Sequence, residues 1–120
     1  MPSREWPTWI DWDVWVRDKC RCVYCDLDGT DWQVWFQLQI DHIIPRKAKG
    51  IDEFLNKAVA CFGCNHCKLS YDPREGEPID LTEASRVVLI RNARRYIDAE
   101  REKLRPAYED MMQKIKTGQA

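Results

Sequence analysis

The chain has 120 residues, 44% of them hydrophobic and 32% charged, with a formal net charge of −1. This balance excludes an intrinsically disordered chain, and no apolar run reaches the length of a membrane span. Near-neutrality excludes long-range attraction to phosphate, so contact with nucleic acid has to come from local basic patches.

At this length the chain reads as a single domain, residues 1–120, with a core at about 8–72 and a helical extension at about 80–116. The N-terminal Met1-Pro-Ser-Arg-Glu-Trp6 lacks the apolar centre of a secretory leader, which points to the cytoplasm. Six cysteines without a leader read as metal ligands before disulfides.

Residues 8–19 carry a helical pattern. Trp9, Trp12 and Trp15 recur three apart, Ile10, Val14 and Val16 widen the face, and Thr8 offers a cap. Such a stripe could stack on bases, but rings at helical spacing are more often core. Cys22-Val-Tyr-Cys25 then forms a tight knuckle, and Asp26-Leu-Asp-Gly29 supplies turn chemistry. Trp32–Ile40 alternates as a strand, broken at Trp35, and delivers Asp41 and His42 at its end; Pro45 stops pairing beyond. Residues 46–55 are a loop around Gly50. Ala58–Ala60 form a second strand that leads into Cys61-Phe-Gly-Cys64, giving a hairpin with a long connection. A short helix follows from Cys64 through Leu69, and residues 71–78 are turn-rich. Asp80 and Glu83 suit a capping box for a long helix whose apolar face holds Val87, Ile90, Ile97, Leu104, Tyr108, Met111 and Ile115. Pro106 should kink or split that helix, and the tail 116–120 should fray.

Two Cys-x-x-Cys turns can give one zinc its four soft ligands, so Cys22, Cys25, Cys61 and Cys64 are expected to hold structural Zn2+. A redox dithiol fits less well, because there are two separate pairs and two further cysteines. Cys20 and Cys67 are either spare ligands or small buried residues. Between the pairs lies Ile40-Asp-His-Ile-Ile-Pro45. Asp41 can hold a hard divalent cation, and His42 can take a proton from water near neutral pH. Alone the dipeptide is a weak signal, and on a flat strand the two side chains face opposite ways unless the strand twists or ends there. Its weight comes from Asn65, which could bring a neutral oxygen to the same ion, and from Asn56, which could bond across the loop and fix the imidazole. Two basic patches, Arg46, Lys47 and Lys49 and then Arg86, Arg91, Arg94 and Arg95, read either as solvated faces or as contacts to a DNA backbone.

Taken together, Cys22-x-x-Cys25, Asp41-His42-Ile-Ile-Pro45, Asn56 and Cys61-x-x-Cys64-Asn65-x-x-Lys68 resemble the zinc-knuckle branch of the HNH endonuclease family over roughly residues 12–70, Arg17-Asp18 included. The resemblance implies an α+β fold: a small ββα-metal core with a four-cysteine zinc knuckle, an N-terminal helix and a long C-terminal helix. It implies a metal-dependent DNA endonuclease with His42 as general base and catalytic Mg2+ or Mn2+ held by Asp41 and Asn65. Asn56 would hold the loop and His42 in place, while Lys68 and Arg46 would lie at DNA phosphate. His66 is a second candidate for the ligand position given to Asn65, although motif register favours Asn65. The loop offers only Gly50 where relatives often show a glycine pair. The expected partners are DNA and, from the phage setting of many small free-standing relatives, packaging proteins, with a homo-oligomer through the C-terminal helix and no membrane. Two rival functions remain: a zinc-stabilised nucleic-acid-binding module that does not cut, and a zinc-centred protein adaptor built on the long helix.

Overall fold

A computed structural model of the chain describes residues 7–118, the side chain of Trp9 excepted. The expectations for residues 1–6, for the Trp9 ring and for the last two residues of the tail lie outside the described residues.

The N-terminal helix is shorter than the tryptophan spacing suggests. A single 3-10 turn over Thr8–Ile10 is separated from α1, Trp12–Arg17, by Asp11 in the left-handed region at φ 46°. Pro7, not Thr8, stands at the N-cap of the 3-10 turn, and Asp11 at that of α1. Val14 and Trp15 are buried, whereas Trp12 is 47% exposed. The stripe is thus core at Trp15 and surface at Trp12. Arg17 and Asp18 fasten α1 to the sheet: Arg17 donates to the carbonyls of Phe54 and Lys57, and Asp18 accepts from the Val59 amide at 2.9 Å.

Residues 32–36 do not extend the first strand. Asp31 accepts hydrogen bonds from the amides of Gln33 and Val34 and starts a helical turn, α2, over Trp32–Trp35. The turn places Trp32, Trp35 and Phe36 in mutual ring contact, with Trp35 against the buried Trp15. Trp32 and Phe36, four apart, satisfy both periods, Trp35 fits only the helical one, and the cap supports the turn. The strand β1 is Leu38–His42. It pairs antiparallel with β2, Lys57–Cys61, so that Asp41 lies opposite Ala58 and His42 opposite Lys57.

Helix α3, Phe62–Lys68, leaves β2 directly and packs on both strands. The turn-rich 71–78 segment leads to α4, Glu83–Thr117, a 35-residue helix. Its capping box uses Thr82 and Ser85 rather than Asp80 and Glu83. The helix runs through Pro106 without splitting. Leu89, Ala93 and Ile97 in its first half are fully buried against the core. Leu104, Tyr108, Met111 and Ile115 in its second half are each more than half exposed. Among the described residues, no helix is long and apolar enough to cross a membrane.

Candidate active site

The two knuckles meet as expected. The thiols of Cys22, Cys25, Cys61 and Cys64 lie within 4.8 Å of one another, and Cys25 and Cys61 are 3.7 Å apart. Four sulfurs about 2.3 Å from one zinc in a tetrahedron stand about 3.8 Å apart, so the cluster has the dimensions of a four-thiolate zinc site. None of the four is in a disulfide. Hydrogen bonds from Cys22 and then Cys64 push the Cys61 thiol far down, as befits sulfurs that share negative charge. Arg101 of α4 donates to the Cys64 sulfur at 3.2 Å and so ties the long helix to the cluster. Cys20 and Cys67 are not members. Cys20 donates to the Gly29 carbonyl, and Cys67 packs against the core.

The loop between the strands is held by Asn56, which is fully buried. Its side-chain oxygen accepts from the Ile44 amide at 2.8 Å, and its nitrogen donates to the carbonyls of Ile44 and Ile51 at 3.0 and 2.8 Å. Gly50 has no room for a side chain, because a Cβ there would lie 1.7 Å from the Ile44 carbonyl oxygen. Its neighbour Lys49 takes the left-handed conformation, φ 66°, that a glycine would adopt at no steric cost.

Asp41 turns inward and is 9% exposed. One carboxylate oxygen, Oδ2, accepts from the Tyr24 hydroxyl at 2.6 Å and pairs with Lys68 Nζ at 3.2 Å. Among the described residues nothing bonds Oδ1. Burial, followed by the Asp41 charge, pushes the Tyr24 hydroxyl well above its ordinary pKa, so Tyr24 remains a donor. Lys68 is expected at phosphate, but its side chain is fully buried. It spends its charge on Asp41 and a hydrogen bond on the His42 carbonyl. The Lys68 ammonium thus faces the interior, where it balances the Asp41 charge.

His42 turns the other way, as strand alternation requires. Its Nε2 lies 2.8 Å from Asp52 Oδ1, and the hydrogen bonds of the Asn56 side chain go to the backbone of Ile44 and Ile51. Asn65 is half-buried on α3, one residue past Cys64, and among the described residues its side chain makes no hydrogen bond. His66 is exposed and stacks on Phe62, with ring centroids 6.0 Å apart. Arg46, Lys47 and Lys49 form an exposed basic patch beside this loop. In the second patch Arg86 is occupied internally by the carbonyls of Leu55 and Lys57 and by Asp18. Arg94 and Arg95 pair with Asp26 and Glu75.

Sequence reasoning missed Tyr24, which sits inside the first knuckle, and Asp52. The one available signal for Asp52 was a carboxylate in the loop that must fold back over His42.

Residues 22–70 match the family model described as HNH endonuclease. The matched segment runs from the first knuckle through both strands and α3, and it supports a nuclease-type function in general. No curated protein matches the chain.

Proposed function

We propose that this chain, whose residues 22–70 belong to the HNH endonuclease family, is a metal-dependent DNA endonuclease. The observation that carries this reading is the state of Asp41: the Tyr24 hydroxyl and the Lys68 ammonium grip one oxygen, and among the described residues the other has no hydrogen-bond partner, in the residue that precedes His42 in the matched segment. A hard, oriented carboxylate oxygen suits Mg2+ or Mn2+, and Asn65 would add a neutral oxygen. Bound there, such a cation supplies charge stabilisation for the phosphodiester as it is attacked. His42 takes a proton from the attacking water as its oxygen bonds to phosphorus. The P–O bond to the leaving sugar breaks, and that oxygen is reprotonated by solvent. Asn56 keeps the loop closed over the strand ends. Arg46, with Lys47 and Lys49, meets the DNA backbone. Zn2+ at the four cysteines holds the two halves of the hairpin together.

The setting we propose is the cytoplasm of a phage-infected cell. The exposed distal half of α4 is available there to a second copy of the chain or to DNA-packaging proteins. General-base help is worth roughly 10²–10⁴-fold, so His42→Ala should lose that much cleavage of circular DNA in magnesium or manganese while still folding and binding.

A second reading, a zinc-stabilised module that binds nucleic acid without cutting, draws support from Lys68, whose charge opposes a cation at Asp41. Wild-type protein that retains DNA but cuts none with any divalent ion would establish that reading.

A further inference from the structure

Asn56 fastens the Ile51 carbonyl, and the residue that follows, Asp52, is thereby laid over the pair formed across the strands by His42 and Lys57. Asp52 Oδ1 stands 2.8 Å from His42 Nε2, 3.3 Å from Lys57 Nζ and 3.7 Å from an Arg46 nitrogen. Lys57 is itself held by Asp11 at 2.8 Å. His42 therefore sits at the end of a chain of alternating charges, Asp11–Lys57–Asp52–His42, drawn from separate parts of the sequence. The hydrogen bond from His42, followed by that from Lys57, lowers the Asp52 pKa and keeps the carboxylate ionised.

An ionised carboxylate can only accept. The proton in this contact must therefore belong to Nε2, which leaves the lone pair on Nδ1.

We propose that Asp52 is the positioning residue of His42: it selects the Nε2–H tautomer, turns Nδ1 toward the attacking water and offsets the positive charge the ring acquires. In the step, a water O–H bond breaks and its proton goes to Nδ1. The ring becomes an imidazolium with both nitrogens protonated, and Asp52 stays ionised throughout. The holding role expected of Asn56 is thus divided. Asn56 shapes the loop, and Asp52, through that loop, orients the ring.

The kinetic part of this inference rests on the endonuclease reading, but the tautomer does not. The chain has two histidines, so a His66→Gln background leaves one imidazole to observe. Nitrogen-15 spectra of the zinc-loaded, magnesium-free protein, above the pH at which the ring is protonated, should show Nε2–H for His42. They should show a tautomer mixture in Asp52→Ala. On circular DNA with magnesium, Asp52→Ala should lower kcat by roughly 10–100-fold, the scale of lost orienting partners. KM should stay level or fall, because a negative charge near the DNA has gone. Asp52→Glu should recover part of kcat, and Asp52→Ala should add nothing to His42→Ala. Asp52 is exposed, so the variants are expected to fold. Equal tautomer populations in wild type and Asp52→Ala would overturn the proposal, as would an unchanged kcat. If wild type cuts no DNA, the endonuclease reading fails while the spectra still decide the role of Asp52.

Discussion

Lys68 and Arg46 both carry positive charge near His42, yet only Arg46 can meet solvent. Removing Arg46 should weaken DNA binding and reduce its salt dependence without disturbing the fold. Removing Lys68 strands the Asp41 charge in the interior. Breaking a buried pair from one side typically costs about 3–5 kcal/mol, so Lys68→Met should unfold at markedly lower denaturant concentration. A phosphate-contacting lysine would leave that midpoint unchanged. The contrast marks what was legible at this scale. The four cysteines announce themselves by residue type and spacing, and Asp41, His42 and Asn56 stand out only through the family resemblance. As partners, Tyr24, Lys68 and Asp52 do neither, because which side chain meets which carboxylate is settled only when the knuckle, α3 and the loop have come together.

The elements divide along similar lines. Strand β2 and helix α3 are readable because small apolar residues run straight into a cysteine knuckle. Residues 32–36 mislead because Trp32, Val34 and Phe36 alternate as on a pleated face, while Trp32, Trp35 and Phe36 suit a helical turn that the Asp31 side chain caps. The start of α4 shifts by two residues because Thr82 with Ser85 forms the box that Asp80 with Glu83 also spells. Within α4 the two halves differ in what holds them. The first is anchored by Leu89, Ala93 and Ile97. The second has side-chain ion pairs along its own surface, Glu102 with Arg105 and Asp110 with Lys114, and carries Pro106. Proline costs about 3 kcal/mol relative to alanine in a helix interior. Pro106→Ala should therefore slow amide exchange across residues 102–117 and raise helix content. The midpoint of global unfolding should scarcely move, because this stretch is not packed into the core.

At the scale of the molecule, the knuckle and the candidate site share their parts. Tyr24, which holds Asp41, lies between Cys22 and Cys25. Cys61 ends β2 and caps α3, and Asn65 follows Cys64 directly. Zinc is bound by thiolates, so protons compete with it and its hold weakens as pH falls. Chelation, or acidification far enough to protonate the thiols, should release zinc and collapse β1, β2 and α3 in one transition. Circular dichroism followed together with a zinc-sensitive dye would register both events at the same point. Retention of the sheet after complete zinc loss would contradict this.

The position of Tyr24 carries a physiological corollary. Cutting would then answer to two elements of very different abundance: a plentiful alkaline-earth ion for the chemistry and a scarce transition metal for the architecture. A cell starved of the scarce one would harbour the polypeptide as a harmless passenger, however much magnesium it contained.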